Sequence, residues 1–268
     1  MVVSSPDDFE EAVRAYRFRD FAFDPGAIAL ARASLRDAGM LVVGEPHGVS
    51  ETPSVLSSLA ATLETRAVAF EWSHEEMDEP VQDFLRTGRT DFDRLWSLPT
   101  SAEFFCGDGR ITAGHFALLG RLREEDRLEQ VVVFDRLDPD PAPADWQVRD
   151  GDMAERLLTE WDERLPLLVL TGAFHAQLDA PEGETMTGVL ARHRPGLRPA
   201  VIEYALGRCW SRGGLHDIVG APPPAPITLR VPEGTPCRRA RPGGLVAKRL
   251  PLDSLTWLTN SRSSFARW

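Results

Sequence analysis

Residues 44–51 read Gly-Glu-Pro-His-Gly-Val-Ser-Glu and place Glu45, His47 and Glu51 within seven positions. Two carboxylates beside an imidazole can pass a proton or hold a metal, and both tasks need pKa values pushed apart by burial and neighbours. Gly44 and Gly48 flank the pair and let other groups approach closely. Similar polar endings recur: Glu71 and His74, Asp135, His175 after Gly172-Ala173, and Glu203. Arg149-Asp150 adds a guanidinium able to clamp a substrate carboxylate or stabilise an oxyanion. Glu51 stands four residues past His47, so a helix already under way there would put both on one face, with the carboxylate orienting the imidazole. His115 and His193 fall on helical segments and read as packing or surface residues, and His216 falls in an unassigned loop. The pattern contains no H-E-x-x-H or G-x-S-x-G motif.

These groups share a position relative to the apolar runs. Met40–Val43, Ala67–Phe70, Val131–Phe134, Leu167–Leu170 and Ala200–Ile202 are continuous apolar segments, each followed by one of the polar endings. Such runs read as strands buried on both faces. Helices are expected between them: from Ser5-Pro6, over Ala27–Asp37 with Gly39 as the stop, after Ser50 or Thr52, twice within 76–97, over 111–128, from Asp150 to about Asp162, and near 184–193. The expected fold is α/β, a central mainly parallel sheet flanked by helices, with the active site at the carboxyl ends of the strands. That arrangement brings Glu45, His47, Glu71 and His175 together as catalytic candidates, and Glu51, His74, Arg149 and Asp150 as substrate-orienting ones.

At 268 residues the chain suits one large domain, or one with an appendage. The α/β domain is expected over 1–207. Residues 208–268, Pro-rich at 221–226 and with apolar anchors at Leu255, Trp257 and Leu258, are expected to pack on it. Residues 138–144 read as an extended connection. A net charge of −11 argues against nucleic acid and against an anionic membrane as partners. A small-molecule or peptide substrate is expected; oligomeric state is left open. Cys106, Cys209 and Cys237 are odd in number and far apart, which fits reduced thiols and a cytoplasmic location. The N-terminal stretch lacks the apolar core of a signal peptide, and no run approaches eighteen apolar residues. The one lysine, Lys248, among thirty basic residues carries no functional reading.

Gly44-Glu45-Pro46-His47-Gly48-Val49-Ser50-Glu51 resembles the G-E-x-H-G-x-x-E signature of the erythromycin esterase-like proteins, which are grouped with the haem-binding lipoprotein ChaN and the Tiki proteases. In the same order, Phe70-Glu71-Trp72 resembles the second-strand carboxylate. Arg149-Asp150-Gly151-Asp152-Met153-Ala154 resembles the R-D-x-x-M-A helix start, and Gly172-Ala173-Phe174-His175-Ala176 the late G-x-x-H-A turn. The resemblance implies hydrolysis of an ester, lactone or amide, with water activated by His47. It implies that Glu45 is the partner of His47 or a metal ligand, that Glu71 and His175 complete the site, and that Arg149 orients substrate. It leaves the cofactor open between none and a divalent metal, with Glu45, His47, Glu71 and His175 as candidate ligands. Pro46 stands where the esterases usually carry a small polar residue or alanine. Two other readings keep the same residues: a non-hydrolytic cyclase or isomerase of natural-product biosynthesis, and a metal- or haem-binding module.

Overall fold

The structure, a computed structural model, describes residues 5–98, 109–136, 146–180, 183–204, 208–211, 214–218 and 222–231. The expected connection at 138–144, Cys106, Cys237 and the anchors Leu255, Trp257 and Leu258 lie outside the described residues.

Helix α1 (Pro6–Ala15) starts where Ser5 Oγ accepts the Asp8 amide at 3.2 Å, with proline at the first helical position. Helix α2 (Pro25–Ala38) starts the same way, with Asp24 accepting from the Ala27 amide, and stops at Gly39 with φ +78. Strand β1 (Met40–Glu45) follows, then α3 (Thr52–Leu63), β2 (Ala67–Ser73), α4 (His74–Thr87) and α5 (Phe92–Trp96). Next come α6 (Ala113–Glu124), β3 (Gln130–Asp135), α7 (Trp146–Glu160), β4 (Leu167–Gly172), α8 (Met186–His193) and β5 (Ala200–Tyr204). A short hairpin, β6 (Arg208–Ser211) and β7 (Gly214–Asp217), precedes β8 (Ile227–Val231).

Six strands form one sheet in the order β3-β2-β4-β1-β5-β8, and every neighbouring pair is parallel. The expected α/β fold is therefore found, and Ile227–Val231 supplies an edge strand of the same sheet. Alternation along β1 explains the continuous apolar run. Leu41 and Val43 enter the layer under α1, α2, α3 and α6, while Met40 and Val42 enter the layer under α7 and α8. Among the described residues no helix is long and apolar enough to cross a membrane.

Three boundaries differ from the sequence reading in ways that matter for the site. The strands run further than their apolar cores, so Glu45, Thr171 and Gly172 are ladder residues and Glu71 lies within β2, rather than in loops. Helix α7 begins at Trp146, not Asp150, so Arg149 and Asp150 lie inside its first turns. Helix α3 begins at Thr52 with Glu51 at the cap position, so His47 precedes the helix and the shared helical face expected for the two does not exist.

Candidate active site

Glu71 is the hub of the site. Strand β2 pairs in register with β3 up to Phe70 and Val133, then shifts so that Ser73 meets Asp135. One extra residue on β2 is thereby absorbed around Glu71-Trp72, the kind of bulge that re-aims a side chain. The Glu71 carboxylate, almost wholly buried, crosses to the end of β4. There its Oε2 accepts the Thr171 hydroxyl and the Gly172 amide, both at 2.7 Å. Its Oε1 accepts from Arg110 Nη1 and Arg149 Nη2, both at 3.2 Å. Burial alone would raise the Glu71 pKa. The charges of His175, His47, Arg110 and Arg149 outweigh it and hold the carboxyl well below the ordinary range, so Glu71 stays ionised.

Two imidazoles approach this carboxylate, one at each oxygen. His47 Nε2 stands 3.7 Å from Glu71 Oε2, and His175 Nε2 stands 3.7 Å from Glu71 Oε1. Each ring is held from behind by its own buried acid: His47 Nδ1 lies 3.3 Å from Glu45 Oε1, and His175 Nδ1 lies 2.5 Å from Asp150 Oδ1. An acid on Nδ1 fixes the tautomer and leaves Nε2 to do chemistry. The two dyads differ. His47 is the more accessible, its side chain 19% exposed against 9% for His175. Burial raises the Glu45 pKa, an effect that His47 only partly offsets.

The close approach of His47 depends on glycine. A Cβ on Gly172 would lie 2.9 Å from His47 Nε2, and a Cβ on Gly44 would lie 2.6 Å from the Ala176 Cβ. Glycine at these two paired strand ends lets the His47 ring and the turn carrying His175 share one edge of the sheet.

Behind Glu71 lies a second carboxylate. Asp135, at the end of β3, takes a fork from Arg149, with Nε to Oδ1 at 2.9 Å and Nη2 to Oδ2 at 2.6 Å. Arg110 Nη1 adds a bond to Oδ2 at 2.7 Å. Burial works against the Arg149 charge, but the Asp135 bond and the charges of Glu71, Asp135 and Asp150 hold its pKa above the ordinary value. Two guanidiniums thus tie the ends of β2 and β3 together.

The structure brings Glu45, His47, Glu71, His175, Arg149 and Asp150 into one cluster. It does not bring His74 there. The His74 imidazole starts α4 and donates from Nδ1 to the Asp135 carbonyl at 2.7 Å, facing a groove shared with Glu75, Arg136, Asp152 and Arg156. Glu51 is buried at the N-terminus of α3, where it accepts the Ser50 hydroxyl at 2.7 Å. Glu203 accepts from Arg230 Nε at 2.8 Å, on the β5–β8 side of the sheet. His193 is exposed, and His115 is fully buried in the wall of Phe70 and Trp72, its Nδ1 accepting the Thr112 amide.

Sequence reasoning missed Arg110 altogether and gave Asp135 no partner. Arg110 follows Gly107-Asp108-Gly109, a stretch that reads only as loop, and its guanidinium reaches Glu71 across 39 positions. The one local signal is Thr112, which marks a helix start two residues later.

The donor set does not suit a metal. Both oxygens of Glu71 are taken, one by two guanidiniums and the other by a hydroxyl and an amide. A cation there would have to displace two positive charges. Among the described residues no group of three or more His, Cys, Asp or Glu is placed to hold a metal ion. What remains is a buried His/Asp/Glu/Arg cluster suited to acid–base chemistry.

No family model matches this chain, and no curated protein does. Solved structures do. A Bacillus cereus protein aligns over 96% of this chain and 89% of its own, at 10% identity and a TM-score of 0.53. An erythromycin esterase variant in its open conformation aligns over 74% of this chain and 80% of its own, at 11% identity and a TM-score of 0.51. At such identities the likeness shows a shared fold.

Proposed function

We propose that this chain is an esterase-like hydrolase, acting on an ester, lactone or amide of a small molecule or peptide-like natural product. One observation carries the reading: two acid-held imidazoles present their Nε2 atoms to the same ionised carboxylate, each 3.7 Å from one of its oxygens. In this reading His47, the more accessible, takes a proton from water as the water oxygen bonds to the substrate carbonyl carbon. The carbonyl π electrons move to its oxygen. The oxyanion then collapses, the bond to the leaving group breaks, and that group takes the Nε2 proton of an imidazolium His175, which the proton gathered by His47 then replaces. Glu45 and Asp150 set the two tautomers. Glu71, saturated by four donors, anchors the rings and the guanidiniums and carries no proton. General-base catalysis of this kind is worth roughly 10²–10⁴-fold. The motif order noted in the sequence and the fold shared with an erythromycin esterase both support membership of the erythromycin esterase-like, ChaN and Tiki grouping.

The test is product mass. A panel of esters, lactones and peptide-like amides is incubated with the protein and analysed by mass spectrometry. A lactone product heavier by one water, or two fragments of an ester or amide whose masses sum to the substrate plus one water, supports hydrolysis. A product of unchanged mass, or lighter by one water, assigns the same acid–base pair to an isomerase or a cyclase instead.

A further inference from the structure

The site holds two guanidiniums with different surroundings. Arg149 comes from α7, is 13% exposed, and spends Nε and Nη2 on a fork to Asp135 with a further bond to Glu71. Arg110 comes from the segment before α6, is more accessible at 32% exposed, and meets the same two carboxylates through Nη1.

Arg110 is also held at its backbone. Trp72 Nε1 donates to the Arg110 carbonyl at 3.1 Å, so consecutive residues of β2 grip both ends of it: Glu71 the guanidinium, Trp72 the main chain. The Trp72 indole is fixed in turn, stacked on Phe70 with centroids 4.5 Å apart and on Phe116 with centroids 5.5 Å apart. Thr112, two residues on, is anchored through its amide to His115 Nδ1 at 3.2 Å. A partly exposed cation held this rigidly meets the need for donors set in place before charge develops.

We infer that Arg110 is the guanidinium that touches the substrate and stabilises its developing oxyanion, while Arg149 is a positioning residue that locks Glu71 to Asp135. The inference rests on the hydrolytic reading of the same site. It reverses the assignment that the sequence suggests, in which Arg149 meets substrate.

The probe is phenylphosphonate, an anion with the tetrahedral geometry of the intermediate, and the measurement is calorimetric titration. Wild type and His47→Ala, which lacks the base but not the guanidinium, are expected to bind it. Arg110→Gln is expected to bind at least about tenfold more weakly, the loss of one charge-assisted hydrogen bond. Arg110→Lys, which keeps the charge without the planar fork, should fall between, and it stands in should the glutamine variant fail to fold. Unchanged affinity in both Arg110 variants, or no binding by wild type, overturns the inference. Phosphonate binding lost in Arg110→Gln, with no ester, lactone or amide hydrolysed by wild type, would keep the anion site and remove the hydrolase. Hydrolysis that survives Arg110→Gln unimpaired would do the reverse.

Discussion

His175 Nδ1 and Asp150 Oδ1 meet at 2.5 Å, the tightest of the imidazole–acid contacts in the cluster, with both groups buried. The pair links the turn after β4 to the first turns of α7 and aims His175 Nε2 at Glu71. Asparagine at position 150 keeps the shape but carries no charge to balance the imidazolium from which Nε2 gives its proton. Asp150→Asn should lower turnover by about 10²–10⁴-fold with the thermal midpoint little changed. Steady-state kinetics on any substrate that wild type turns over, alongside a melting curve, checks it.

Gly172→Ala tests the space that His47 occupies. The added Cβ would sit 2.9 Å from His47 Nε2 and 3.6 Å from Glu71 Oε2, so the ring must move. The backbone amide of residue 172 still donates to Glu71. Overpacking of this kind costs about 1–3 kcal/mol, and the displaced ring should cost more than about tenfold in kcat/KM. Activity equal to wild type would mean that the position of His47 is not set here.

His115 makes stability depend on pH. Burial, reinforced by the His47 charge, lowers its pKa from 6.5 to about 3. Between those values the unfolded chain binds a proton that the folded chain refuses. The stability it contributes is whole above pH 6.5 and is lost as pH falls toward 3, a difference of roughly 4–5 kcal/mol. His115→Gln keeps an acceptor for the Thr112 amide and does not titrate. Urea unfolding at a series of pH values should therefore give a flatter acid limb for the variant, and an unchanged limb would refute the assignment.

Arg149→Ala should damage folding more than Arg110→Ala. Removing Arg149 strips the fork from Asp135 and leaves two buried carboxylates, Asp135 and Glu71, with less compensation. Loss of one partner from a buried pair costs about 3–5 kcal/mol. Denaturant midpoints of the two variants measure the difference directly.

The sheet was legible because its strands are buried on both faces, and burial writes itself into sequence as unbroken apolar runs such as Met40–Val43. Parallel pairing then put the polar endings of β1, β2 and β4 at one edge, which is why Glu45, His47, Glu71 and His175 could be grouped before any geometry was known. His74 was grouped with them as a substrate-orienting residue. Strand β2 continues to Ser73, and the ring turns to the Asp135 carbonyl instead. Glu51 was matched to His47 by a helical spacing that begins only at Thr52. Arg110 was invisible for another reason. Its place depends on Glu71 and Trp72 gripping a loop residue from 39 and 38 positions away, and no local pattern records a contact of that kind.

The central claim is that His47 activates water in a site shared with His175, and the most direct measurement is the turnover of His47→Ala and His175→Ala under saturating substrate, with folding confirmed by thermal melting. His47 is partly exposed and both rings lie at the sheet edge, so each variant is expected to stay folded. The expected result is a fall of at least about 10²-fold for each. Near-wild-type turnover by folded His47→Ala would contradict it.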